Sequence, residues 1–184
     1  MSDDDKTTGA MLKLTRFAPA SSAVAGTLSL GFEDRRRSRQ LARLDDGREA
    51  AVHLPRGTVL RDGDRLIGEH DASPVVVVRA APETLSVAHT TDAHLLARAA
   101  YHLGNRHVPL QVAPDNVAYQ HDHVLDGMVR ELGLTVATEW APFEPEAGGY
   151  RHEGSERHGH EHKDEHGHKH EHEHGHHHHH DGDD

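Results

Sequence analysis

The last 34 residues, Arg151 to Asp184, contain no Val, Ile, Leu, Met or aromatic residue. Such a segment has too little apolar surface to offset the entropy of ordering it, so it builds no packed core. Residues 148–184 are therefore expected to be a disordered tail. Residues 1–10, polar and acidic, are expected to be a disordered lead. About 140 residues remain to fold, enough for one ordinary domain or two small ones.

What the tail lacks for folding it supplies as chemistry. It carries 14 of the chain's 22 histidines, and the chain has no cysteine. His152 comes first. His158, His160 and His162 stand at alternate positions, as do His166, His168, His170, His172, His174 and His176, and His177, His178, His179 and His180 extend the series. Neighbouring imidazoles on a flexible strand can close on one ion, and they are mostly neutral near neutral pH. Protons compete for the same nitrogens, so affinity should fall below about pH 6.5. Imidazole without thiolate suits nickel, copper(II), zinc and cobalt, and does not suit copper(I) or iron–sulfur clusters. The interspersed Glu, Lys and Gly, and the ending Asp181-Gly-Asp-Asp, are unlike a purification tag.

Charge and composition exclude several function classes. The net charge is −11; the tail's ten acidic and four basic side chains supply −6 of it. An acidic balance argues against nucleic acid or an anionic membrane as main partner. Without cysteine there is no disulfide framework and no thiolate zinc site. The N-terminus has neither the basic nor the apolar region of a signal peptide. The longest apolar run, Pro74 to Val78, is too short to cross a bilayer. A cytoplasmic location is the expectation.

Residues 11–78 read as β-rich. Leu28, Leu30 and Phe32 alternate, and Asp45-Asp46-Gly47 and Asp62-Gly63 are hairpin-turn signals. A small barrel or sandwich is expected, with no convincing helix. Arg35, Arg36, Arg37 and Arg39 read as a solvated strand edge that discourages pairing, or else as a docking patch for an acidic partner. Val75 to Val78 is a buried-type strand.

From residue 79 to 147 the periodicity changes. A strand over 84–88 precedes a helix over 92–103, capped by Thr91 or Asp92, with Leu96, Ala99, Ala100 and Leu103 on one face. Gly104 is expected to take the left-handed position that ends it. Strands over 108–112 and 116–119 follow. Asp122 can cap a second helix with Leu125, Met128, Val129 and Leu132 as its stripe. Gly127 inside it should cost about 1 kcal/mol relative to alanine, and Gly133 closes it. A last strand covers 134–140. The order β-α-β-β-α-β is the ferredoxin-like motif. The expected class is α+β: an N-terminal all-β domain, a ferredoxin-like domain and a disordered His-rich tail.

Enzymatic signatures are missing. The chain has no Gly-x-x-x-x-Gly-Lys-Ser/Thr phosphate loop and no Gly-x-Ser-x-Gly, and His-Glu-x-x-His occurs only within the histidine repeats of the tail. A non-enzymatic protein is expected. Outside the tail, His107 falls at a helix–strand junction, and His121 and His123 flank Asp122 at a strand–helix junction. Taken alone, each reads as an ordinary polar residue as readily as a ligand. For His53, His70, His89, His94 and His102 structural readings are favoured.

Tyr101-His-Leu-Gly-Asn-Arg-His-Val-Pro-Leu-Gln111, followed by His121-Asp-His-Val-Leu-Asp-Gly-Met128, resembles the UreE family of urease accessory proteins, which are nickel metallochaperones. The resemblance covers residues 11–150, and a His-rich tail is a common family ending. It implies a peptide-binding-like N-terminal β domain over 11–78 and a metal-binding, dimerising ferredoxin-like domain over 79–147. It implies a homodimer through the C-terminal domain, with His107 meeting its symmetry mate and binding nickel(II) there. His121 and His123 match secondary ligands, and tail histidines such as His152 or His158 complete the sphere. Zinc(II) and copper(II) are the in vitro alternatives. The implied partners are a UreG-type GTPase and the urease maturation complex with apo-urease. One competing reading is a general cytosolic store or detoxifier of nickel, zinc or copper. Others are a hydrogenase-type nickel chaperone and a metalloenzyme using His107, His121 and His123.

Overall fold

The computed structural model describes residues 11–147. The expectations for the lead over 1–10 and for the tail from 148 lie outside the described residues.

Short strands between turns make the N-terminal part. β1 (Leu12–Leu14), β2 (Arg16–Phe17), β3 (Gly26–Leu30), β4 (Arg39–Arg43), β5 (Glu49–His53), β6 (Arg65–Ile67) and β7 (Val76–Ala80) form two sheets. One runs β1-β5-β4 and the other β2-β6-β7-β3. Side chains from both meet in one core that includes Leu14, Leu28, Leu44, Val52, Leu66 and Val76. Each such side chain stabilises the fold by about 1.5–3 kcal/mol relative to exposure. Gly47, at φ 90°, turns β4 into β5 as its Asp-Asp-Gly signal predicts. Asp62-Gly63 is also a turn, with Gly63 at φ 84°. It makes no hairpin, because β5 and β6 belong to different sheets.

The arginine cluster departs from expectation. Phe32–Arg35 forms a single helical turn, α1, where no helix was expected. Arg35 is 0% exposed and is no part of a solvated edge. Its guanidinium donates to the carbonyls of Leu30, Leu60 and Phe143 and pairs with Glu144. A buried cation needs this many acceptors to replace water. Arg36 and Arg37 are exposed and pair locally with Glu33 and Asp34.

The C-terminal part follows after one residue, Ala81. Its elements are β8 (Pro82–His89), α2 (Ala93–Gly104), β9 (Gln111–Val112), β10 (Asn116–Gln120), α3 (His123–Glu131) and β11 (Thr135–Pro142). The sheet order is β11-β8-β10-β9, so the expected βαββαβ arrangement is found. β10 and β11 both run antiparallel to β8, one on each side. Helices α2 and α3 cover one face through Leu96, Ala99, Leu103 and Val129, packed on Ala88, Val117 and Tyr119. Leu85, Val87 and Ala118 on the other face pack with Phe32 and Phe143. Both helices carry the expected aspartate caps: Asp92 accepts from the His94 and Leu95 amides, and Asp122 from those of Val124 and Leu125.

The strand expected over 108–112 shrinks to Gln111–Val112. The Val108 amide is used by the helix stop, donating to the Leu103 carbonyl. Pro109 has no amide to offer a ladder.

Candidate metal-binding site

The topology gathers the candidate histidines at one end of the C-terminal sheet. α2 starts beyond His89 and returns along the sheet, so it finishes near the end where Leu85 pairs with Gln120 and Glu139. β10 runs toward that same end, and α3 begins there. His107 follows α2, while His121 and His123 precede and open α3.

His107 holds an unusual backbone. Its φ is 58°, and it is the only described non-glycine residue with positive φ. The hydrogen bonds explain why. The His107 amide donates to Gly104 O at 2.9 Å, and the Val108 amide to Leu103 O at 3.3 Å. This is the Schellman stop, whose turning residue is left-handed. α3 ends in the same way: Gly133 donates to Arg130 O at 2.9 Å and Leu134 to Val129 O at 3.3 Å, with Gly133 at φ 106°. The two helices thus share one stop, with glycine at the turning position in α3 and histidine in α2. Gly104, expected to be the left-handed residue, lies inside the helix. A side chain at this position costs about 1 kcal/mol or more. The cost places an exposed imidazole on the sharp corner between helix and strand.

His121 is positioned by a buried polar network. Its Nδ1 lies 2.9 Å from Ser86 Oγ and 3.6 Å from Asp126 Oδ2. Ser86 is 0% exposed and Asp126 2%. Asp126 accepts from the Tyr119 hydroxyl at 2.9 Å and lies 3.6 Å from Arg130 Nη2. Burial, and then the Asp126 carboxylate, push the Tyr119 phenol far above its ordinary range, so it stays protonated and donating. His123 is exposed on the first residue of α3. Between the two, Asp122 is extended at φ −147°, ψ 116°. Leu125 and Val124 amides hold its carboxyl below the usual range.

Among the described residues, no three His, Asp or Glu side chains converge on a common centre. The three histidines share an end of the fold without forming a chelate within one chain. Two surface cavities, of ≈ 350 and ≈ 290 Å³, are lined by residues of the N-terminal part, and none of the three histidines lines them. No described helix is long and apolar enough to cross a membrane. The tail histidines lie outside the described residues.

Sequence reasoning missed Ser86, Tyr119 and Asp126. Only the register reveals that Ser86 and Tyr119 are directly opposed across β8 and β10. Asp126 left a trace: it stands three residues before Val129, a spacing that shares a helix face with the buried stripe.

Comparison with known proteins agrees along nearly the whole chain. A family described as UreE urease accessory protein, N-terminal domain, matches residues 6–81, and the corresponding C-terminal domain family matches residues 74–182. A urease accessory protein UreE of Pseudomonas putida (strain W619) is 55% identical over 141 residues, covering 77% of this chain and 87% of the relative. One from Citrobacter koseri is 52% identical over 148 residues, covering 80% and 97%. One from Escherichia coli O157:H7 is 47% identical over 140 residues, covering 76% and 90%.

Proposed function

The chain belongs to the UreE urease accessory protein family, and from that membership we propose that it carries nickel(II) for assembly of the urease active site, through His107. The observation that carries the site assignment is the left-handed His107 at the α2 stop. A strained backbone held where glycine is the easy solution points to a role for the side chain. One exposed imidazole holds a metal weakly. Two of them, from two copies meeting on a two-fold axis, make a shared site. The donors fit the cargo: imidazole nitrogens, with no thiolate in the chain, suit nickel(II), and zinc(II) and copper(II) compete for the same set.

In this reading His121 and His123 are secondary ligands at the same end of the sheet. The tail histidines, from His152 onward, gather the ion and exchange it with His107. Few fixed ligands with open positions favour transfer over retention. The protein acts as a carrier and catalyses no reaction. The receiver is a UreG-type GTPase of the urease maturation complex, and the N-terminal sheets dock partner proteins. Removing residues 11–78 should weaken delivery and leave the nickel stoichiometry intact; a lost stoichiometry would count against that division of labour.

Nickel titration calorimetry tests the site. It compares the full-length protein, a truncation after Tyr150, and the truncation carrying His107→Ala. The expected result is that truncation lowers the stoichiometry but leaves about one tight ion per dimer, which His107→Ala removes. If truncation abolishes all tight binding, the tail is the function and the protein is a general metal store.

A further inference from the structure

We propose that Ser86, Tyr119 and Asp126 are positioning residues that hold His121 in its Nδ1–H form, so that Nε2 is the nitrogen presented to the metal. The inference rests on the reading of His121 as a nickel ligand and adds to it a direction and three residues.

The buried Asp126 carboxylate sets the direction of the network. A carboxylate only accepts, so the Tyr119 hydroxyl donates to Asp126 Oδ1, at 2.9 Å. Arg130 Nη2 lies 3.6 Å from Oδ2. The one phenolic proton is then used, and the Tyr119 oxygen is left as an acceptor. Ser86 stands opposite Tyr119 in the strand register. Ser86 Oγ also lies 2.9 Å from His121 Nδ1. The Asp126 carboxylate faces the same nitrogen, with Oδ2 at 3.6 Å from Nδ1, so Nδ1 carries the hydrogen and Ser86 Oγ accepts it. Opposite Nδ1 on the ring, Nε2 keeps its lone pair. A metal-bound histidine commonly donates its other N–H to such a group, and loss of the partner lowers metal affinity about 10–100-fold.

The test uses the full-length protein. Long-range ¹⁵N–¹H correlation spectra of the metal-free chain report which ring nitrogen is protonated, with His121 assigned by its absence in His121→Ala. Nickel binding is followed by quenching of Trp140, the single tryptophan of the chain. Trp140 pairs in register with Thr84, whose carbonyl accepts the His121 amide, so it reports on this end of the sheet. The wild type should show Nδ1–H. Asp126→Ala removes the carboxylate that faces Nδ1 and leaves Ser86 to donate to that nitrogen, so His121 should shift to Nε2–H and nickel affinity should fall about tenfold. Asp126→Asn keeps an acceptor for Tyr119 but turns an amide N–H toward Nδ1, and should shift the tautomer in the same way. A merely structural Asp126 would change stability and leave the tautomer alone. Nε2–H in the wild type overturns the proposal, as does an unmoved tautomer in Asp126→Ala. If Asp126→Ala does not fold, the wild-type spectrum decides. Nickel binding indifferent to His121→Ala, with Nδ1–H observed, would instead remove His121 from the ligand set and take this role with it.

Discussion

Replacing His107 with glycine deletes the imidazole and relaxes the backbone in one step, and comparison with alanine separates the two effects. At φ 58° a Cβ is opposed by the neighbouring carbonyl, at a cost of about 1–2 kcal/mol. Histidine and alanine both carry that cost, and glycine does not. Glycine also loses about 0.5 kcal/mol through the greater freedom of the unfolded chain. His107→Gly should therefore be more stable than His107→Ala by about 0.5–1.5 kcal/mol. For a fold of about 140 residues this is a rise in melting temperature of roughly 2–5 °C. The assay is calorimetric melting of full-length proteins in excess chelator, so that bound metal does not enter. Both variants should lose the tight nickel site equally. His107→Gly would then be the more stable protein and as defective a carrier. If it melts at or below His107→Ala, the residue is not held in the left-handed conformation, and strain no longer points to a role for its side chain.

Gly127 lies within α3, and an added Cβ meets nothing within 4 Å; Gly127→Ala should stabilise by about 1 kcal/mol in urea unfolding, and a loss would mean that a second chain packs there. Arg35→Met removes the donor from three carbonyls and from Glu144; it should cost about 3–5 kcal/mol in the same assay, and a cost under about 1 kcal/mol would refute the clamp. Asp122 has a lowered folded-state pKa, so its contribution is present above the unfolded value of 3.8 and is lost as pH falls through the folded one. Asn caps a helix as well as Asp but does not titrate. The acid limb of melting temperature against pH, followed below about pH 4, should be shallower in Asp122→Asn; superimposable limbs would show that the cap does not titrate.

The helix starts were legible because their chemistry is local: Asp92 and Asp122 each precede a 3.6-residue stripe, and both cap as read. The α2 stop was not, because Gly104 is the natural candidate for a left-handed residue. The helix runs through Gly104, and the Leu103 carbonyl captures the Val108 amide, which moves the turn to His107. Arg35 was equally hidden. Nothing local distinguishes it from Arg36 and Arg37; a strand end 108 positions later selects it by bringing up Phe143 and Glu144. His121 was readable as a candidate donor, but its orientation depends on Ser86, 35 positions away. Residue types at a site are written in the sequence, while the groups that aim them are assembled by strand pairing.

The single residue between β7 and β8 and the Arg35 clamp have a joint mechanical consequence. Ala81 ties the sheets at one point, its amide donating to Leu30 O at 2.9 Å. Arg35 ties them at a second, and Arg61 adds a bond to Pro145 O at 2.6 Å. With Arg61 as a third tie, the two sets of sheets resist the swing that a single tether would allow. On the proposed reading, a protein that grips the N-terminal sheets would meet the histidine-bearing end of the other sheet at a constant bearing. The handover of an ion would then need no closing motion between the two sets of sheets, and the movement would belong to the receiver.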